Sequence, residues 1–156
     1  KEFRKGKNIC LTARVSTGKV RKIGKAAKKN IALLDLGVTN STMHQLKDLG
    51  LTVTLFPYNA SAQEILRIRP KGLVISGGPE EVLVLSDIGQ AIKPLIGRLP
   101  ILSIGSGTLA LGAALGAKIN KLKIGHRGVN YPIQYSGSFK GEITTQNHSF
   151  QLTGHL

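Results

Sequence analysis

Between residues 31 and 117, short apolar runs alternate with helically periodic stretches, and Gly or Pro marks nearly every boundary. Residues 31–36 form an apolar run ending at Gly37. Residues 38–49 then carry Met43, Leu46 and Leu49 at helical spacing and stop at Gly50. Residues 51–56 repeat the strand pattern. Ser61 caps a predicted helix over residues 62–69, with Glu64 three places on and Pro70 closing it. A third strand is predicted over 72–76, a helix over 86–97, a fourth strand over 100–104, and a helix of small residues over 108–115 closed by Gly116. Strands that are apolar on both faces and alternate with helices specify an α/β fold. The expected form is an open, mainly parallel sheet with helices on both faces. Ligands in such folds sit beyond the carboxyl ends of the strands. Three Gly-bearing turns fall there, at Gly37, at residues 76–79 and at residues 105–107. After Lys118 the pattern breaks into shorter pieces, with a loop expected at residues 125–128 and a strand at 141–145.

Charge divides the chain. Of the net +14, residues 1–30 carry +10, from Lys1, Arg4, Lys5, Lys7, Arg14, Lys19, Arg21, Lys22, Lys25, Lys28 and Lys29 against Glu2. The predicted organisation is a basic leader or linker over 1–30 and one domain over 31–156, because 156 residues bury one real core and not two. The leader has three readings: a solvated linker, a set of RNA phosphate contacts, or a surface for an acidic protein. With Phe3 its one aromatic residue, base stacking is not its business. It is expected to be extended or disordered when free. No apolar run is long enough to cross a bilayer and no secretory signal is seen, so no membrane role is expected. The single Cys10 excludes an internal disulfide and a cysteine-based metal site, and neither metal nor cofactor is expected. An intracellular location follows, in cytoplasm or an organelle matrix.

The turn Ile104-Gly105-Ser106-Gly107, between a predicted buried strand and a helix, is a nucleophile-elbow position, where one side chain is exposed and backbone N–H groups face an anion. Gly105 stands in the nucleophile's place and has no side chain to attack with. The glycines also serve simply to let the helix pack close to the sheet. A serine hydrolase built on Ser106 would need its base from His126, His148 or His155, with no motif to support it.

Taken in order, residues 15–17, 31–38, 53–59, 69–72 and 76–79, the elbow, Gly125-His126-Arg127-Gly128-x-Asn130, and Gln146-Asn147-His148-x-Phe150 resemble the small subunit of glutamine-dependent carbamoyl-phosphate synthetase, a class I glutamine amidotransferase. The resemblance runs from about Leu11 to Phe150. It implies the flavodoxin-like form of that α/β fold, and an activity in which a Cys on the elbow attacks the glutamine side-chain amide. A later His-Pro-Glu segment would assist, and ammonia would pass to a large synthetase-type subunit. The departures fall on the chemistry. Gly105 replaces the Cys, Thr108-Leu109 replaces a His-Gln pair, residues 76–82 replace Ser-Asn-Gly-Pro-Gly-Asp-Pro, and Ser149 replaces a Gly. The chain stops at Leu156, before a His-Pro-Glu segment, so the carboxy-terminal part is expected to be truncated. Gly78, Asn147 and Phe150 remain as vestigial ligand-binding residues. The resemblance thus implies a catalytically inactive glutaminase-like domain kept for binding or scaffolding, on a large synthetase-type subunit or another protein complex. A basic structural protein of a nucleoprotein assembly, for example an organellar ribosome, is the alternative, and an active amidotransferase a third reading.

Overall fold

The computed structural model describes residues 9–24 and 29–154. Its elements, in order, are α1 (Leu11–Val15), β1 (Arg21–Ile23), β2 (Asn30–Asp35), α2 (Asn40–Asp48), β3 (Thr52–Pro57), α3 (Ala62–Arg67), β4 (Leu73–Ile75), α4 (Val82–Ile92), β5 (Ile101–Ser103), α5 (Ser106–Ala114), β6 (Lys118–Gln134) and β7 (Gly141–Thr153). A short 3-10 turn, Lys93–Leu95, follows α4.

The main sheet has the order β1-β3-β2-β4-β5, in which β2, β3, β4 and β5 are parallel and β1 is antiparallel to β3. Side chains leave a strand on alternate faces, and this sorts the apolar runs into two cores. Ala32, Leu34, Phe56, Leu73 and Ile75 pack with Ile65 of α3, Leu85, Ile88 and Ile92 of α4, and Leu109 and Ala110 of α5. Ile31, Leu33, Val53, Leu55 and Val74 pack with Met43 and Leu46 of α2. Full burial of each Leu or Ile contributes about 1.5–3 kcal/mol. Chain order reverses around β2, with β3 on one side and β4 on the other, so the loops after β2, β4 and β5 meet at one end of the sheet.

Several expectations are corrected. The stretch read as a leader is in part integral: β1 pairs with the free edge of β3, and Glu81 grips α1. The Glu81 carboxylate accepts hydrogen bonds from Leu11 N (2.9 Å), Thr12 N (2.7 Å) and Thr12 Oγ1 (2.6 Å). These bonds supply locally what apolar burial could not. Helix α4 starts at Val82 rather than 86, with Glu81 as its N-cap, and gives way to the 3-10 turn where Pro94 lacks an N–H. Residues 125–128 are not a loop but part of β6, and β7 runs on to Thr153. The ladder is irregular between Lys121 and His126 and between Gly128 and Tyr131. Gly125 permits the close crossing there, since a Cβ at this position would lie 3.0 Å from the His148 carbonyl oxygen. The β6–β7 ribbon forms its own two-stranded sheet and docks on the first core through Ile119, Phe150 and Leu152.

Candidate functional site

At the end of β5 the chain turns through Gly105, with φ 55° and ψ −126°, directly into α5. A positive φ of this kind strains any residue with a Cβ. Gly105, which has no Cβ, takes this conformation without that strain. Space for one persists: a Cβ on Gly105 would have Gly77 Cα as its nearest neighbour, at an ordinary 3.5 Å. Two other glycines have no such room. A Cβ on Gly78 would fall 1.8 Å from the Leu36 carbonyl oxygen, and one on Gly107 would fall 2.6 Å from that of Ser76.

Hydroxyls stitch these loops together. Ser76 Oγ accepts from Leu36 N at 2.9 Å. Ser106 Oγ accepts from Gly78 N at 2.8 Å and donates to Gly78 O at 2.9 Å. Ser106 is buried and its proton is committed to a carbonyl, so it is a structural tie and not an exposed nucleophile. No histidine reaches it among the described residues. His148 sets Nδ1 3.0 Å from the Phe150 carbonyl and Nε2 3.1 Å from Gln146 Oε1, and His126 Nδ1 lies 2.6 Å from the same Gln146 oxygen. His126 also stacks on Tyr131, with ring centroids 4.7 Å apart. His155 lies outside the described residues.

Beside the elbow lies a cavity of about 420 Å³. Gly77, Gly78 and Glu80 form one side, Gly105, Ser106 and Leu109 another, and residues 145–148 with Phe150 of β7 the third. Gly78, Asn147 and Phe150, far apart in sequence, thus meet around one space with Gly105. The cationic candidates are elsewhere: Arg14, Lys19, Arg21, Lys22 and Lys29 are exposed and none lines the cavity. Arg4, Lys5, Lys7, Lys25 and Lys28 lie outside the described residues.

Sequence reasoning missed two participants. Glu80 Oε2 accepts the Ser149 N–H at 2.8 Å, and Arg127 Nη2 donates to Ser149 Oγ at 2.6 Å. The available signal was the pair of departures from the family pattern, Glu at 80 and Ser at 149. At the neighbouring Glu81, burial pushes the carboxyl up, whereas the Thr12 hydroxyl, the Thr12 and Leu11 amides and the Cys10 thiol pull it down. The hydrogen bonds win, and it sits below the usual carboxylate range. Among the described residues no group of three or more His, Cys, Asp or Glu could hold a metal ion, and no helix is long and apolar enough to cross a membrane.

A mainly parallel sheet, a tight turn at the head of α5 and a cavity walled by Gly-rich loops make up the architecture of a class-I glutamine amidotransferase fold. The chain belongs to the class-I glutamine amidotransferase family, whose model matches residues 32–155. Within that family it is similar to proteins named carbamoyl phosphate synthase small chain. That of Akkermansia muciniphila is 39% identical over 126 residues, covering 81% of this chain and 34% of the relative. That of Methanopyrus kandleri is 40% identical over 125 residues, covering 80% and 35%. The chain therefore spans about a third of the length of these relatives. The fold also matches a solved structure from Thermoplasma acidophilum, described as a candidate GMP synthase component. The TM-score is 0.60 at 24% identity, covering 82% of this chain and 68% of that one.

Proposed function

We propose that this chain is a catalytically inactive glutaminase-like domain of the carbamoyl phosphate synthase small-chain type, retained as a binding or scaffolding subunit of a protein complex. The observation that carries this reading is Gly105 at a fully formed elbow. Without a thiolate there is no covalent acyl intermediate, and the rate enhancement that depends on it is lost. Ser106 cannot stand in, because its hydroxyl is bonded to both backbone groups of Gly78. A synthetase-type large subunit is the partner this reading favours, since the core, the loops and the cavity are kept while the reactive group is not. Ammonia release from glutamine by the purified protein tests it. Release should stay at the uncatalysed background. Release above background that disappears in Ser106→Ala would overturn the reading.

A second reading rests on the charge distribution. Residues 31–117 carry six Lys/Arg and six Asp/Glu, so the +10 of residues 1–30 and the +4 of residues 118–156 are appended to a neutral body. That pattern suits a structural protein of a nucleoprotein assembly, with basic segments on RNA phosphates. Salt-independent RNA retention, or none at low salt, would remove its support.

A further inference from the structure

Two of the departures from the family pattern, Glu80 and Ser149, meet beside the cavity. Glu80 leaves the loop after β4 and its carboxylate takes the Ser149 N–H of β7, a bond between residues 69 positions apart. Ser149 is held from its other end as well, since its hydroxyl accepts from the Arg127 guanidinium. Ser149 is thus held at two separate groups, its amide by a carboxylate and its hydroxyl by a guanidinium, and each bond is strengthened by its charged partner.

An α-amino acid entering this cavity brings a carboxylate that needs N–H donors. Between the lining residues His148 and Phe150 of β7 the Ser149 N–H is committed to the lining residue Glu80, and the N–H of Gly78, which also lines the cavity, is committed to Ser106. We propose that Glu80 is a built-in carboxylate ligand of the cavity, which holds the donor an amino-acid carboxylate would use and closes the site to free glutamine. The proposal rests on reading the cavity as a former glutamine pocket. The effect is twofold: an incoming carboxylate must displace Glu80 from Ser149, and it must then lie beside a like charge in a confined space. Loss of the nucleophile and exclusion of the substrate are thus separate properties, carried by Gly105 and Glu80.

The test is a calorimetric titration of L-glutamine into the full chain, its Glu80→Gly variant and its Glu80→Gln variant, with hydrogen exchange of the Ser149 amide followed by NMR. The wild type should show no saturable binding in the millimolar range. Glu80→Gly should bind at least about tenfold tighter, the scale expected for freeing a donor from a charged acceptor. Glu80→Gln, which keeps the side-chain size and removes the charge, should shift in the same direction by less. The Ser149 amide should be protected in the wild type and exchange faster in Glu80→Gly. Equal affinity in all three proteins, whether all bind or none does, overturns the proposal, as does unchanged Ser149 exchange. Ammonia release by the wild type would instead sink the inactive-domain reading. A wild type that is inactive yet binds glutamine as well as Glu80→Gly sinks this proposal alone.

Discussion

Three glycines within the same few ångströms answer to different constraints, and substitution separates them. Gly78→Ala drives a Cβ to 1.8 Å of the Leu36 carbonyl and Gly107→Ala drives one to 2.6 Å of the Ser76 carbonyl, so backbone must move in both. Overpacking against backbone costs about 1–3 kcal/mol or more, and each variant should lose that much in denaturant unfolding. Gly105→Ala meets nothing closer than 3.5 Å and adds only the strain of a Cβ at positive φ, about 1–3 kcal/mol, without the backbone clash of the other two. No measurable loss at Gly105 would show that the elbow is not in its strained form. At this scale the sequence was informative about which residues share the cavity, because Gly78, Gly105, Asn147 and Phe150 each sit inside an ordered motif. It was silent on Glu80 with Ser149, since a contact across 69 residues leaves no local pattern.

Among the elements, the central strands β2 and β4 were legible because a strand buried on both faces must be apolar, as residues 31–34 and 73–75 are, whereas β5, read as buried, is the sheet edge and leaves Leu102 exposed. The β6–β7 ribbon was not. Its inward residues Ile119, Phe150 and Leu152 are few, and the irregularities after Lys121 and Gly128 break the two-residue period that would have revealed a long strand. Nor was α1 legible, since its anchor is Glu81, some seventy residues away. That anchor makes a pH prediction. The Glu81 carboxyl is held below its ordinary value in the folded protein, so its contribution is fully present above the unfolded value of about 4.3 and is lost as pH falls through the lower folded value. Exchange of the Leu11 and Thr12 amides should therefore accelerate relative to intrinsic rates over that acid window. Glu81→Gln should remove the dependence and leave both amides less protected at neutral pH; a pH profile identical in the variant would contradict the assignment.

For the whole molecule, the neutral body between two basic segments sets the design of any RNA experiment. Deleting residues 1–29 would cut away α1 and β1, which belong to the fold. Replacing the exposed Arg14, Lys19, Arg21, Lys22 and Lys29 with Gln keeps the elements and removes the charge. On the nucleoprotein reading, that variant should bind RNA more weakly and flatten the log–log salt slope by about 0.7–0.9 per lost phosphate contact. An unchanged slope would return those residues to a simpler role, with Arg21 and Lys22 on β1 guarding a sheet edge against unwanted pairing. The central claim, however, is that the elbow has lost its nucleophile. It is tested most directly by incubating the protein with an electrophilic glutamine analogue and locating any covalent adduct by peptide mass spectrometry. The account predicts that the peptide spanning residues 102–109 stays unmodified, and an adduct on Ser106 would contradict it.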